Sequence, residues 1–383
     1  MIRATHGFDD VDAVGVGLQF DASHYNDFGT AQIFSGAPGT GSGNALFIWF
    51  NSFGANYLTR IFDPQTMWTV GLNASLYYNT IGPGPAVQEL FLELGDSTGA
   101  MVGLQFEADG SISIRDLIHG LQVARTSSTF AVGVWNPYLE LKCSGFGSGS
   151  VTCQLYSNDT LACSGTLATS RLPDRVSLVQ NIIGVMFDNV VILDGQGAAP
   201  WNDRLGPVRL TTITPAANGT GSWPVTGGVA AYSAVWDQLG RFPDAQTPDG
   251  DTTYLAPVAL GAQQTFQLGS AACYGLILGI SANMCFRGTS GSATVDALLI
   301  EGAGVYDLGS LSWTGAAYRT LQVFTGLSPA SGSYFNDAEI AGNLWGFKTN
   351  TSPDLRVTQF YLEKIVSLRN VPYQCGQNAN YSF

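Results

Sequence analysis

The sequence is short of charge. Only 12% of its 383 residues are Asp, Glu, Lys or Arg, and 16 basic residues face 29 acidic ones, for a formal net charge of −13. No Lys/Arg cluster occurs anywhere, which excludes a groove that tracks nucleic acid, because such grooves neutralise several phosphates at once. Histidine is limited to His6, His24 and His119, and none lies beside a GxSxG-type nucleophile turn. The six cysteines (143, 153, 163, 273, 285 and 375) contain no CxxC pair, and with so few histidines structural zinc is not expected. No run of about 18 uncharged apolar residues is present, so no membrane span is expected. The opening MIRATHGFDD lacks an apolar h-region and a cleavage-like site, so export through a signal peptide is not expected either.

Helix formers such as Lys, Glu and Arg are few, whereas Gly (47 residues) and aromatics are abundant, and β-branched plus aromatic residues fill the apolar runs. The composition is all-β, and the length exceeds what one hydrophobic core usually holds, so two domains are expected. In VGLQFEADGSISIRD two alternating runs flank Ala-Asp-Gly, the local signature of a β-hairpin. MWTVGLNASLYY and LFLELGD alternate as half-buried strands do. YLELKC places Leu139, Leu141 and Cys143 on one face, with Tyr138, Glu140 and Lys142 on the other. Short antiparallel strands follow through SGFGSGS, VTCQLY and TLACSGTL, ending in NIIGVMFDNVVILD, and their spacing argues for a sandwich or jelly roll.

After Asp194 the texture changes. Residues 198–250 are rich in Gly, Pro and Asn and read as a connection around one short strand, VRLTTI. Residues 251–372 carry a second set of strand-like runs: TYLAPVAL, QTFQLG, CYGLILGISANMCFRG (one long strand), ATVDALLIEG, TLQVFTGL and VTQFYLEKIVSLR. Asn336-Asp337 is placed to cap a helix over AEIAGNLW. Residues 1–197 thus form the first domain, and 373–383 an exposed tail or docking arm.

Glu89 and Glu93 flank Leu-Phe-Leu, but residues four apart on a strand lie about 13 Å from each other. Glycosidase carboxyl pairs stand roughly 5–9.5 Å apart, so both acids read as solvent-facing strand residues rather than catalysts. No catalytic residue is expected. Asp249 and Asp251 around Gly250 suit a tight turn first and an ion second. Centring one hairpin on Ser148 sets Cys143 opposite Cys153, within reach of a cross-strand bond. A two-residue turn at Asn158-Asp159 would set Cys163 against Gln154. Cys375, in the tail, is the candidate for an intersubunit disulfide. Trp201, Trp223, Trp236, Trp313 and Trp345 all fall in the second half; a sugar could stack on such rings, and core or intersubunit packing is the simpler reading.

Several blocks, taken in order, resemble a large group of tailed-bacteriophage and prophage virion proteins. They are the N-terminal FDD segment, LQFEADGSISIRD, Trp135-x-x-Tyr138-x-Glu140-x-Lys142, FDNVVILDG, NDRLGPVRLTTITP and DGDTTYL. The resemblance is scattered over roughly residues 8 to 370. Leu205-Gly206-Pro207-Val208-Arg209 matches the L-G-x-V-R that members tend to carry, and Asn189 departs from their usual D-D-x-x-x-x-D. The resemblance implies a concanavalin-like (laminin-G-like) jelly roll followed by a second β-rich, sandwich-like domain. It implies a non-enzymatic fibre, collar or baseplate-associated part of a virion, made in the bacterial cytoplasm and partnered by copies of itself, as a trimer, and by other virion proteins. A carbohydrate-binding module contacting a host surface glycan or receptor is the alternative, and a capsid decoration protein the third. Sandwiches of this kind can hold Ca²⁺ through loop carboxylates, so Asp9, Asp10, Asp188 and Asp194 are candidate ligands if the first and last strands pair. Strand-end and turn roles are the plainer reading of Asp188 and Asp194. No other cofactor is expected.

Overall fold

The computed structural model describes residues 1–6, 27–28, 31–35, 44–48, 56–77, 88–130, 135–180, 184–221, 223–227, 229–235, 251–269, 275–289, 292–315, 317–350 and 355–369. It forms two compact units, Met1–Val208 and Arg209–Val371, both built almost wholly from antiparallel strands.

In the first unit the strands are Ile2–His6 (β1), Asp27–Phe28 (β2), Ala31–Ser35 (β3), Asn44–Ile48 (β4), Asn56–Ile61 (β5), Met67–Tyr77 (β6), Glu89–Asp96 (β7) and Gly99–Phe106 (β8). Ile112–Asp116 (β9), Leu121–Arg125 (β10), Leu139–Ser144 (β11), Val151–Ser157 (β12), Thr160–Leu167 (β13), Arg175–Gln180 (β14) and Gly184–Asp194 (β15) complete it. One sheet runs β13-β12-β11-β6-β15-β4-β3 with β1 also paired to β15, and the other runs β10-β9-β8-β7-β14-β5-β2. Their inner faces share one core. Trp68, Val70 and Leu72 of β6, Leu141 of β11 and Phe187 of β15 meet Leu92 and Leu94 of β7, Phe106 of β8 and Ile114 of β9, all essentially inaccessible to water. Each such side chain contributes about 1.5–3 kcal/mol by leaving water. The unit is a two-sheet, concanavalin-like jelly-roll sandwich, as expected.

Two local expectations needed correction. LFLELGD does not simply alternate: a bulge between Leu90 and Leu92 turns Phe91 into the core, where it stacks on Phe106 at 4.4 Å. In the β12–β13 hairpin the two-residue turn is present, with positive φ at Asn158 (44°) and Asp159 (70°), as two-residue hairpin turns of the primed kind require. A bulge between Leu155 and Tyr156 then slides the register by one, so Cys163 faces Leu155 rather than Gln154.

The second unit contains Val208–Ile213 (β16), Pro215–Gly221 (β17), Val225–Thr226 (β18), Ala231–Ala234 (α1), Tyr254–Leu255 (β19), Gln263–Leu268 (β20) and Leu276–Gly288 (β21). It continues with Ser292–Glu301 (β22), Gly304–Thr314 (β23), Arg319–Thr325 (β24), Asp337–Gly342 (α2), Leu344–Thr349 (β25) and Leu355–Ser367 (β26). One sheet runs β18-β19-β26-β21-β24 with β16 on β26; the other runs β17-β20-β25-β22-β23. Phe266, Phe347 and Phe360 pack between them at ring separations of 5.7–5.8 Å.

The stretch 198–250 is therefore more than a connection with one strand. Ile213, Trp223, Ala231, Ala234 and Val235 belong to the second core. Its strand β17 begins with Pro215 and lies at a sheet edge, where a missing N–H is tolerated, and its small polar residues carry no alternating apolar signal. Asn336 caps α2 through a full capping box with Glu339, as anticipated, but the helix stops at Gly342 and the following Leu344–Thr349 is a central strand. The tail 373–383 lies outside the described residues.

Candidate functional site

The outward face of β11 carries the first constellation. Because Leu139, Leu141 and Cys143 fill the core, Tyr138, Glu140 and Lys142 point the other way, as the alternation requires. Onto that face folds the segment after β15. Glu140, 1% exposed, accepts hydrogen bonds from the backbone N–H groups of Leu205 (3.1 Å) and Gly206 (3.0 Å) through Oε1. Its Oε2 accepts from Arg204 Nη2 at 2.9 Å, and Lys142 Nζ pairs with Asp203 at 2.5 Å. Arg204 also bonds Asp159 at 2.7 Å and lies over the Tyr156 ring at 3.3 Å. Burial raises the Glu140 carboxyl above its ordinary value, with Arg204 and the two N–H groups pulling it back only in part. Two blocks of the virion resemblance, Tyr138-x-Glu140-x-Lys142 and Asn202–Gly206, thus close on one another through two ion pairs. The chemistry is that of a clasp.

The acidic residues of β15 are divided. Asp188 stands opposite Asn73 and Asp194 opposite Trp68, five residues apart on β6 and so about 17 Å from each other. The first and last strands of the unit do pair, through β1 and β15. Pairing does not bring Asp188 and Asp194 to one place. Asp188 accepts from the Asn189 backbone N–H (2.7 Å) and Nδ2 (3.1 Å), and the same Nδ2 donates to Asn73 Oδ1. Asn189 sits at a bulge with φ 52°, a left-handed conformation that Asn adopts more readily than most residues. Asp194 accepts from the Gln196 N–H at 2.9 Å and has Arg3 Nε 3.0 Å from Oδ2, though not aligned for a hydrogen bond. Asp9 and Asp10 lie outside the described residues, as do His24, Trp236, Asp249, Cys273 and Cys375. Among the described residues, no group of three or more His, Cys, Asp or Glu side chains is placed to hold a metal ion.

The second constellation lies on the outward face of the β7 sheet. The register aligns Thr59, Ser177, Glu93, Gly103, Arg115 and Gln122 in one row across six strands. Thr59 and Ser177 share a hydrogen bond at 2.7 Å. Leu90 and Leu117 close over Gly103, leaving no room for a Cβ there. Among the described residues Glu93 has neither hydrogen-bond nor ionic partner, and burial alone raises its carboxyl above the ordinary 4.5. Glu89, expected to face solvent, is instead fully buried, because its opposite number, Phe106, lies on the core side.

A raised folded value means that Glu93 binds a proton more tightly folded than unfolded. Its contribution is therefore full below pH 4.5 and is lost as pH rises toward the folded value. Glu93→Gln is expected to remove this fall. Urea midpoints across pH 4 to 8 should show the wild type losing ground to E93Q as pH rises, and a constant gap would refute the assignment.

In the second unit, Arg287 and Arg356 are directly opposed on β21 and β26, an unfavourable pairing of like charges. Asp251 lies between them at 2.6 Å from each guanidinium and accepts from the Tyr318 hydroxyl at 2.9 Å. Burial pushes the Asp251 carboxyl up, and the Arg356 and Tyr318 hydrogen bonds with both guanidinium charges more than reverse it, leaving it below its ordinary value. This half-exposed acid is a counter-ion. Of the tryptophans, Trp223 and Trp345 are core residues, while Trp201 and Trp313 are half-buried. His119 Nδ1 lies 2.7 Å from Asp116, which also accepts the N–H groups of Ile118 and His119 to hold the β9–β10 turn.

No family model and no curated protein matches the chain. Solved structures do. Cellulose induced protein Cip1 is 13% identical over 49% of this chain and 96% of its own, with a TM-score of 0.35. The alginate lyase AlgAT5 of polysaccharide lyase family 7 is 12% identical over 50% and 93%, at 0.27. The exoplasmic domain of VIP36, in a Ca²⁺/Man3GlcNAc-bound form, is 7% identical over 44% and 86%, at 0.27. Similarity this remote transfers no ligand, metal or activity to this chain. No helix among the described residues is long and apolar enough to cross a membrane.

Proposed function

We propose that this chain is a non-enzymatic structural component of a bacteriophage virion, a fibre, collar or baseplate-associated appendage protein that works through subunit assembly and host attachment. The observation that carries the reading is the clasp. The residues that bear the resemblance to virion proteins, Glu140 and Lys142 on one side and Asp203 and Arg204 on the other, are spent on holding the fold. Asp188, Asp194 and Asp251 are likewise engaged with neighbouring side chains. Immunogold labelling of virions with antibody against the purified chain tests this: label at the tail or its base is expected. Label on capsid faces would instead make it a decoration protein, and absence from particles would overturn the virion reading.

A second reading, contact with a saccharide, is favoured by one feature. The row Thr59, Ser177, Glu93 and Arg115 sets hydroxyls, a carboxyl with no partner among the described residues and a guanidinium on one sheet face, the mixture of groups that hydroxyl-rich ligands engage. A glycan array probed with wild type and E93Q separates the two readings. Binding lost in E93Q supports saccharide contact, and no binding by wild type removes it.

A further inference from the structure

The β11–β12 hairpin holds two thiols face to face. Cys143 and Cys153 are register partners, both 0% exposed, with their sulfurs 3.2 Å apart. Directly opposed residues of an antiparallel pair have Cα atoms about 4.5–5.5 Å apart, within the span a disulfide bridges. Both sulfurs are free here, and no other described cysteine competes for them in register: Cys153 faces Gly165 on its other side, and Cys163 faces Leu155.

We propose that Cys143 and Cys153 are an oxidisable pair that closes into a cross-strand disulfide when the chain folds in contact with a small-molecule disulfide such as glutathione disulfide. One cysteine thiolate attacks that disulfide and expels one thiolate, leaving a mixed disulfide. The second cysteine then attacks the mixed disulfide, forming the protein S–S bond and expelling the other thiolate. Two thiol protons and two electrons thereby leave the protein, and one external disulfide is reduced to two thiols.

The position dictates when this happens. Neither sulfur can meet a reagent from the core of the finished sandwich, and burial raises the Cys143 thiol far above its ordinary value, so the thiolate is scarce there. Closure belongs to the folding chain, or to a hairpin that has opened. The bond would pin the strand that presents Glu140 and Lys142 once the protein has left a reducing compartment.

The test uses the full chain, unfolded in reductant and refolded either in reductant or in a glutathione redox buffer, then trapped by alkylation. Trypsin would leave Cys143, Cys153 and Cys163 on one peptide, because no Lys or Arg lies between Lys142 and Arg171; chymotrypsin cuts at Phe146 and Tyr156 and separates them. The expected result is a linked Cys143–Cys153 peptide pair, lighter than the two free peptides by two hydrogens, in the wild type and equally in Cys163→Ser. Protein refolded in reductant should keep both thiols and resist native alkylation at both positions. Alkyl groups on both residues after refolding with glutathione, or a link of either one to Cys163, would overturn the proposal. The C163S variant keeps it falsifiable should Cys143→Ser or Cys153→Ser fail to fold.

Discussion

Glu140→Ala is expected to destabilise the first unit by about 3 kcal/mol or more. The loss has two parts. The buried N–H groups of Leu205 and Gly206 lose their acceptor, at about 1–3 kcal/mol each when nothing replaces it. The Arg204 guanidinium loses its buried partner and keeps Asp159 and the Tyr156 ring. Glu140→Gln retains an oxygen for the two N–H groups and should cost less, about 1–2 kcal/mol. Arg204→Ala should act in a pH-dependent way. Burial already raises the Glu140 carboxyl, and removing the cation raises it further. A raised carboxyl costs stability as pH climbs above its ordinary value, so R204A should lose more at pH 8 than at pH 5. Urea midpoints for the three variants check this, with Asp307→Ala as a surface comparison: its pairing with Lys348 is exposed and worth at most about 1 kcal/mol. An E140A loss no larger than that of D307A would remove the clasp from the account.

Gly346→Ala carries the other large effect. Gly346 is in the middle of β25, between Thr265 of β20 and Leu298 of β22. A Cβ there would run into the Gln264 carbonyl oxygen and sit 2.7 Å from the Thr265 Cα, both backbone atoms of a paired strand. Relief requires moving β20 itself, and with it Phe266 and its ring contacts to Phe347 and Phe360. The expected cost is about 3 kcal/mol, at the upper end of overpacking effects. Gly342→Ala, at the end of α2 with open space around it, is the control and should be near neutral. Thermal melts of both variants decide the matter: equal midpoints would mean the sheet yields more easily than its packing implies.

Much of the fold was legible from period and turn chemistry. The face assignment of Tyr138 to Cys143, the Cys143–Cys153 register, the long strand through ISANMCFRG and the Asn336 cap all depend on neighbours in sequence, and all are present. The misreadings have two causes. Bulges at Leu90–Leu92 and Leu155–Tyr156 shift parity by one residue without any marker in composition. Strand β17 and the core residues Trp223 to Val235 sit in a Gly/Pro-rich stretch that local texture assigns to a linker. Glu89 looked solvent-facing because nothing in ELFLEL says which side of a bulged strand meets the core.

The sequence by itself determined the all-β class, the hairpins and the division into two β-rich parts, because these follow from residue type and period. Only the tertiary structure decided what the acidic residues do. Asp188 and Asp194 lie on one eleven-residue strand yet sit apart on its neighbour, and Glu140 reaches Arg204 sixty-four residues away. Glu93 has its carboxyl raised by burial on the sheet. Charge is local in sequence, but its partner and its exposure to water are set by which strands are neighbours.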